Sequence, residues 1–156
     1  MKYSRVYTKP QQSILLIGPR GTGKSTFIKE IAKPDLTIDL LKSSDLKLLQ
    51  KDPSEIESMV AHLKPGQFVF IDEIQKIPDL LNETHRLIEN KKLNFILSGS
   101  SARKLKKEGV NLLAGRARLR HMYPLTLKEL NNHHDIQKVI NFGTLPEAIN
   151  CADLSS

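Results

Sequence analysis

The sequence predicts an α/β fold in which a parallel five-stranded sheet is sandwiched between helices. Three observations lead there. Short apolar runs alternate with amphipathic segments at the spacing of right-handed parallel crossovers. The stretch "GPRGTGKST" (18–26) joins the first apolar run to the first amphipathic segment, and a later run, "FVFI", ends in the acids Asp72 and Glu73.

The first strand is read in "SILLI" (13–17), an apolar run closed by glycine. Phe27, Ile28 and Ile31 then fall at helical spacing until Pro34, which has no amide hydrogen to continue the ladder. "LTIDL" (36–40) alternates as a strand does. Asp52 and Glu55 form a capping-box pair around Pro53 at the first helical position, and Ile56, Met59, Val60 and Leu63 follow on one helical face. That helix is expected to stop at "KPG" (64–66). "QFVFIDE" (67–73) is a buried strand, and after Pro78 the residues Leu80, Leu81, Thr84, Leu87 and Ile88 line one side of a helix. "LNFILSGSS" (93–101) is a fourth strand that runs into a small-residue turn. A short basic helix follows, and in "RARLRHMYPL" (116–125) Ala117, Leu119 and His121 alternate with arginines as a fifth strand. Beyond Pro124 two short helices are expected, with no further strand.

Length and composition narrow the class. A chain of 156 residues suits one domain, and 39% hydrophobic with 26% charged residues suits a soluble globular one. The apolar runs fall far below the roughly 20 residues that span a bilayer, and "MKYSRVYTKP" lacks the apolar core of a signal peptide. A cytoplasmic protein with no membrane partner is therefore expected. Cys151 is the single cysteine, so no internal disulfide is expected. The net charge of +7 is uneven: Arg103, Lys104, Lys106, Lys107, Arg116, Arg118 and Arg120 face only Glu108 within residues 102–120. This segment suits nucleic acid, an acidic partner or a triphosphate; for the three lysines a solvated helix face is the plainer reading.

The chemistry begins at residue 18. Gly18, Gly23, Lys24 and Ser25 fit the phosphate-loop pattern G-x-x-x-x-G-K-[ST] between a strand and a helix, where it has physical meaning. Successive amides from Gly18, Pro19, Arg20, Gly21, Thr22, Gly23, Lys24, Ser25 and Thr26 form the cradle, although Pro19 itself donates none. Lys24 is expected to bridge the β- and γ-phosphates of a nucleoside triphosphate, and the Ser25 hydroxyl to ligate magnesium. Asp72 is expected to hold that magnesium through its water shell, and Glu73 to orient and deprotonate the attacking water. Ser98, Ser100 and Ser101 follow a strand whose end should lie beside this pair, where a hydroxyl can hold the γ-phosphate or the water; an ordinary turn is the alternative. Arg103 and Arg116 are candidates for sensing the γ-phosphate or reaching a neighbouring site, against the alternative of surface ion pairs. His133, His134 and Asp135 read as solvated positions at a helix start, not a metal site.

In order and spacing, "GPRGTGKST", "FVFIDEIQKIPDLLNETHRLIE", "FILSGSSARKLKK", "NLLAGRARLRHMYPLTLKEL" and "FGTLPEA" resemble the AAA-superfamily ATPases of bacteria and archaea whose nucleotide domain usually precedes a C-terminal domain of unknown function. The resemblance runs from about Gln12 to Ala148. It implies a P-loop NTPase three-layer sandwich with sheet order 5-1-4-3-2 and an ATPase domain over residues 1–124. Residues 125–156 would be a short helical extension, the start of an incomplete lid without the family's C-terminal domain. It also implies ATP and magnesium as cofactors, Asp72 and Glu73 as the Walker B pair, Ser98 or Ser100 as the first sensor, and Arg116 as a γ-phosphate or intersubunit contact. "GTLP" around Pro146 is similar to the segment with which related ATPases touch adenine. The N-terminal segment before the first strand is expected to be shortened, and a domain without a complete lid would bind ATP and turn it over slowly.

Two functions of different class follow. One is magnesium-dependent ATP hydrolysis that drives a conformational change in a partner or a homo-oligomer. The other is an ATP-dependent binding switch with little hydrolysis, meeting nucleic acid or protein through the basic 102–120 segment. A GTPase is disfavoured because the guanine-reading Asn-Lys-x-Asp would need aspartate where Leu93 stands. A small-molecule kinase is disfavoured because nothing after residue 100 offers an acceptor pocket.

Overall fold

A computed structural model describes residues 3–100, 115–130 and 136–149. In chain order the elements are β1 (Ile14–Ile17), α1 (Lys24–Phe27) continued by a π-helical stretch (Ile28–Ala32), β2 (Leu36–Asp39), α2 (Ser43–Lys51), α3 (Ile56–Met59) after a 3₁₀ turn (Pro53–Glu55), and β3 (Phe68–Asp72). A 3₁₀ turn (Ile74–Lys76), α4 (Leu80–Lys91), β4 (Asn94–Gly99), β5 (Arg118–His121) and α5 (Ile136–Phe142) follow. The sheet order is β2-β3-β4-β1-β5 with every pairing parallel, as the resemblance implies.

All four residues of β1 are buried because the strand has neighbours on both edges and helices over both faces. The pleat then sorts the side chains. Ile14, Leu16, Phe70, Ile96 and Met122 face one way and pack against Phe27, Ile28 and Ala32. Leu15, Ile17, Ile38, Val69, Ile71, Phe95 and Leu97 face the other way, onto Leu49 of α2, Ile56 of α3 and Leu80, Leu81 and Leu87 of α4.

Two helices depart from expectation. The sequence pattern predicts no helix over Ser43–Lys51, where Lys42 occupies the N-cap position without a side-chain cap and only Leu49 is fully buried, so neither a cap nor a wide apolar stripe announces α2. The helix expected to run to Leu63 stops at Met59, because Val60 leaves helical geometry at φ −98° and ψ 7°. Its start is also different: the Asp52 carboxylate accepts from the Ser54 amide at 2.9 Å and the Ser54 hydroxyl at 2.6 Å, capping a 3₁₀ turn.

After β5 no further strand occurs among the described residues, in line with the sequence pattern. Leu125, Leu130 and Ile149 make a separate small cluster with Tyr3 and Val139. Beside it lies a buried ion pair, Arg5 Nη1 to Glu129 Oε2 at 3.4 Å. The Glu129 carboxylate also accepts from the Val6 and Thr126 amides, both at 2.9 Å. Burial pushes this carboxyl up, but those hydrogen bonds and the Arg5 charge outweigh it and hold it below the ordinary glutamate value. The pair ties the N-terminal segment to the chain leaving β5. The basic helix anticipated after β4, with Ser101 and Arg103, lies outside the described residues, as do His133, His134, Asp135 and Cys151.

Glu129→Gln leaves the Arg5 guanidinium buried without its counter-charge and is expected to cost about 3–5 kcal/mol near neutral pH in urea unfolding. A depressed carboxyl contributes stability that is present above its unfolded pKa and lost as pH falls through the folded one. The gap between parent and variant is therefore expected to narrow below about pH 4.5.

Candidate functional site

The site forms where the carboxyl ends of the strands meet. Ile17 pairs with Gly99, and the Gly18 amide donates to the Gly99 carbonyl at 3.2 Å, so the phosphate loop leaves β1 directly beside the end of β4. Gly18 is required by packing: a Cβ there would lie 2.1 Å from the carbonyl oxygen of Met122 on the chain leaving β5. Gly21 and Gly23 turn the loop with φ of 77° and 83°, a conformation that favours glycine. The buried Thr22 hydroxyl donates to the Pro19 carbonyl at 2.9 Å and holds the loop closed.

Lys24 opens α1 with its side chain folded under the loop, where Nζ donates to the Gly18 and Pro19 carbonyls at 2.7 and 2.8 Å. Burial lowers its pKa; Glu73 and Asp72 oppose this, and Arg20 adds to it. An ammonium so short of water favours an incoming anion.

Asp72 is the hub. It ends β3 nearly buried, accepting at Oδ2 from Ser25 Oγ (2.7 Å) and at Oδ1 from Ser98 Oγ and from the Glu73 amide (3.1 Å). A serine hydroxyl and a carboxylate are hard oxygen donors that fit magnesium, which keeps several waters and takes phosphate oxygens beside one or two protein ligands. Among the described residues no cluster of three or more His, Cys, Asp or Glu side chains offers a different metal site. Glu73 sits at φ 59° and ψ 44°, a left-handed conformation rare outside glycine, and its side chain lines the same cleft. That cleft, of about 550 Å³, is bounded by Arg20, Lys24, Ser25, Thr26, Glu73 and Pro146 among others, a volume in the range of small-molecule sites.

The fold therefore brings the loop, Asp72, Glu73, Ser98, Ser100 and Pro146 to one edge. Arg116 is elsewhere. It precedes β5 and bonds Glu89 on α4 at 2.5 Å; Arg118 at the start of β5 pairs with Ile14 at the start of β1, so Arg116 lies at the amino end of the sheet, opposite the loop that follows Ile17. It is not part of this chain's own cleft. Leu41, Glu147 and Gln75 are site residues that the sequence pattern does not single out; Glu147 lines the cleft next to Pro146. Leu41, 58% exposed, lines the cleft from the turn after β2, and nothing in its neighbourhood marks it. Gln75 bridges Glu73 and Ser100, and its signal was the unusual run "DEIQKIP" that contains it.

The model of a family described as an AAA domain matches residues 10–131. The chain belongs to the AAA domain family. It is an AAA-type ATPase domain, and two of its curated relatives show the likeness. One is the Holliday junction branch migration complex subunit RuvB of Limosilactobacillus reuteri (strain DSM 20016), 32% identical over 85 residues that cover 50% of this chain and 24% of that protein. The other is RuvB of Staphylococcus aureus (strain JH9), 28% identical over 108 residues, 68% of this chain and 31% of that protein. The AAA domain thus spans about a quarter to a third of the length of the curated relatives it matches. Among solved structures, the Thermotoga maritima RuvB K64R mutant aligns with a TM-score of 0.52 at 20% identity, covering 78% of this chain and 41% of that one, a likeness of fold. Among the described residues no helix is long and apolar enough to cross a membrane.

Gly18→Ala in this AAA domain drives a methyl group into the Met122 backbone. A loss of about 1–3 kcal/mol is expected in urea unfolding, with the loop displaced from the end of β5.

Proposed function

We propose that this AAA domain binds ATP with magnesium and hydrolyses it, coupling turnover to conformational change in a partner or a homo-oligomer. The observation that carries this is the convergence of Ser25, Asp72 and Glu73 beside Lys24 on one cleft. The Lys24 ammonium exchanges its loop carbonyls for the β- and γ-phosphates, and the loop amides and the start of α1 add positive potential. Ser25 and Asp72 would hold magnesium, which supplies charge neutralisation on the phosphates when bound. Glu73 accepts a proton from water as the water oxygen attacks the γ-phosphorus; the bond to the bridging oxygen breaks, leaving ADP and phosphate. Ser98 or Ser100 holds a γ-phosphate oxygen or the attacking water. Pro146 borders the base, in the stretch after Pro124 that begins the lid. Arg116, outside this chain's own cleft, serves as a contact to a neighbouring subunit's nucleotide. A cytoplasmic location fits these roles.

A second reading makes ATP a switch for nucleic-acid binding. Its support is a polar groove of about 370 Å³ at the sheet edge, where Lys9, Arg118 and Arg120 are the charged lining residues, together with the Holliday junction in the names of the RuvB relatives. Binding through phosphates would weaken steeply with salt and change with ATP.

Lys24→Ala is expected to abolish ATP binding in a fluorescent-nucleotide titration, and unchanged affinity would refute the phosphate-loop assignment. Glu73→Gln is expected to keep ATP and magnesium while turnover falls by about 100-fold or more, measured as phosphate released with magnesium present.

A further inference from the structure

The run "DEIQKIP" contains a glutamine that the roles above leave unused. Glu73 turns the chain sharply after β3, and the 3₁₀ turn Ile74–Lys76 brings Gln75 back across the strand ends. The Glu73 amide pins this turn to Asp72 Oδ1 at 3.1 Å and to Ser98 Oγ at 3.3 Å. Gln75 Nε2 then donates both to Glu73 Oε2 and, at 3.2 Å, to the Ser100 hydroxyl. The end of β4 is built to admit this amide: a Cβ on Gly99 would lie 2.7 Å from Gln75 Oε1 and 3.2 Å from Ile17 Cδ1. Among the described residues, Gln75 Oε1 is itself buried with no hydrogen-bond partner. A buried amide that leaves its acceptor unsatisfied is a poor device for stability, so what distinguishes it is the pair of groups its donor joins.

We infer that Gln75 is a positioning residue that aims the Glu73 carboxylate and links it to Ser100, so that a hydroxyl beside the γ-phosphate and the carboxylate that takes the proton move as one unit. It builds on the proposed role of Glu73 as base. One carboxylate oxygen is engaged by the Gln75 amide, which leaves the other to face water. Contact of Ser100 with the γ-phosphate shifts the hydroxyl, and the shared amide carries that shift to Glu73. Hydrolysis would then answer to the third phosphate, and with ADP the Ser100 hydroxyl and the Glu73 carboxylate would keep their present hydrogen bonds to Gln75.

The test is single-turnover ATP hydrolysis by the full chain in molar excess, with ATP affinity measured separately. Gln75→Leu keeps the bulk, discards the unsatisfied acceptor and removes the donor. Gly99→Ala displaces the amide from the other side. Both are expected to leave ATP affinity within about twofold and lower the rate by about 10- to 100-fold, the size of loss that a misplaced catalytic group produces. Combined with Ser100→Ala, Gln75→Leu should be no slower than the slower single variant, since both cut one relay. A merely structural glutamine would weaken nucleotide binding as well and combine multiplicatively with Ser100→Ala. An unchanged rate in either variant, a faster rate with Gln75→Leu, or multiplicative losses overturns the inference. Glu73→Gln separates the two levels. If it stops hydrolysis while Gln75→Leu does not slow it, the positioning role alone falls. If Glu73→Gln hydrolyses as the parent does, or the parent converts no ATP over days, the assignment of the base falls and the positioning role with it.

Discussion

Leu15 and its neighbours in β1 pair in parallel with β4 on one side and β5 on the other, and β3 and β2 extend the same register. Parallel pairing puts every carboxyl end on one edge, so residues far apart in sequence become neighbours without any contact designed between them. Ile17 is matched with Gly99 and Asp39 with Asp72. A slip of one residue in β3 would turn Asp72 to the other face and carry its carboxylate away from Ser25. The two apolar layers resist such a slip, because it would exchange Val69 and Ile71 for Phe70 against helices shaped for the former.

On that edge a small set of hydroxyls and amides organises the acids. Ser25 from α1 and Ser98 from β4 both donate to Asp72, and Gln75 ties Glu73 to Ser100. The result is one connected polar network spanning the phosphate loop and the ends of β3 and β4. Networks of this kind hold geometry when each member has a partner and leave little slack for any one of them. A second buried polar cluster, Arg5 with Glu129 and Thr126, does the corresponding work between the N-terminal segment and the chain leaving β5.

Local pattern made much of this legible. The apolar runs of β1, β3 and β4 are short, continuous and bounded by turn residues, so burial on two faces is written into each. The loop glycines and Lys24 stand at a spacing that has one physical use. α2 was not legible, because its capping position is a lysine and its buried stripe narrows to Leu49. Pattern alone overstates the length of α3, because Leu63 continues the helical spacing while the backbone has already turned at Val60.

By itself the sequence determined the layered α/β class, the phosphate loop and the acid pair, since these depend on periodicity and on residues a few places apart. Strand order was implied by family resemblance and by no local rule. Only the tertiary structure decided that Gly18 is needed for the approach of Met122, that Arg116 lies at the far end of the sheet from the loop that its charge suits, and that Gln75 reaches both Glu73 and Ser100. Each depends on the distance between segments that are remote in the chain, and a parallel crossover sets that distance only when the whole sheet has closed.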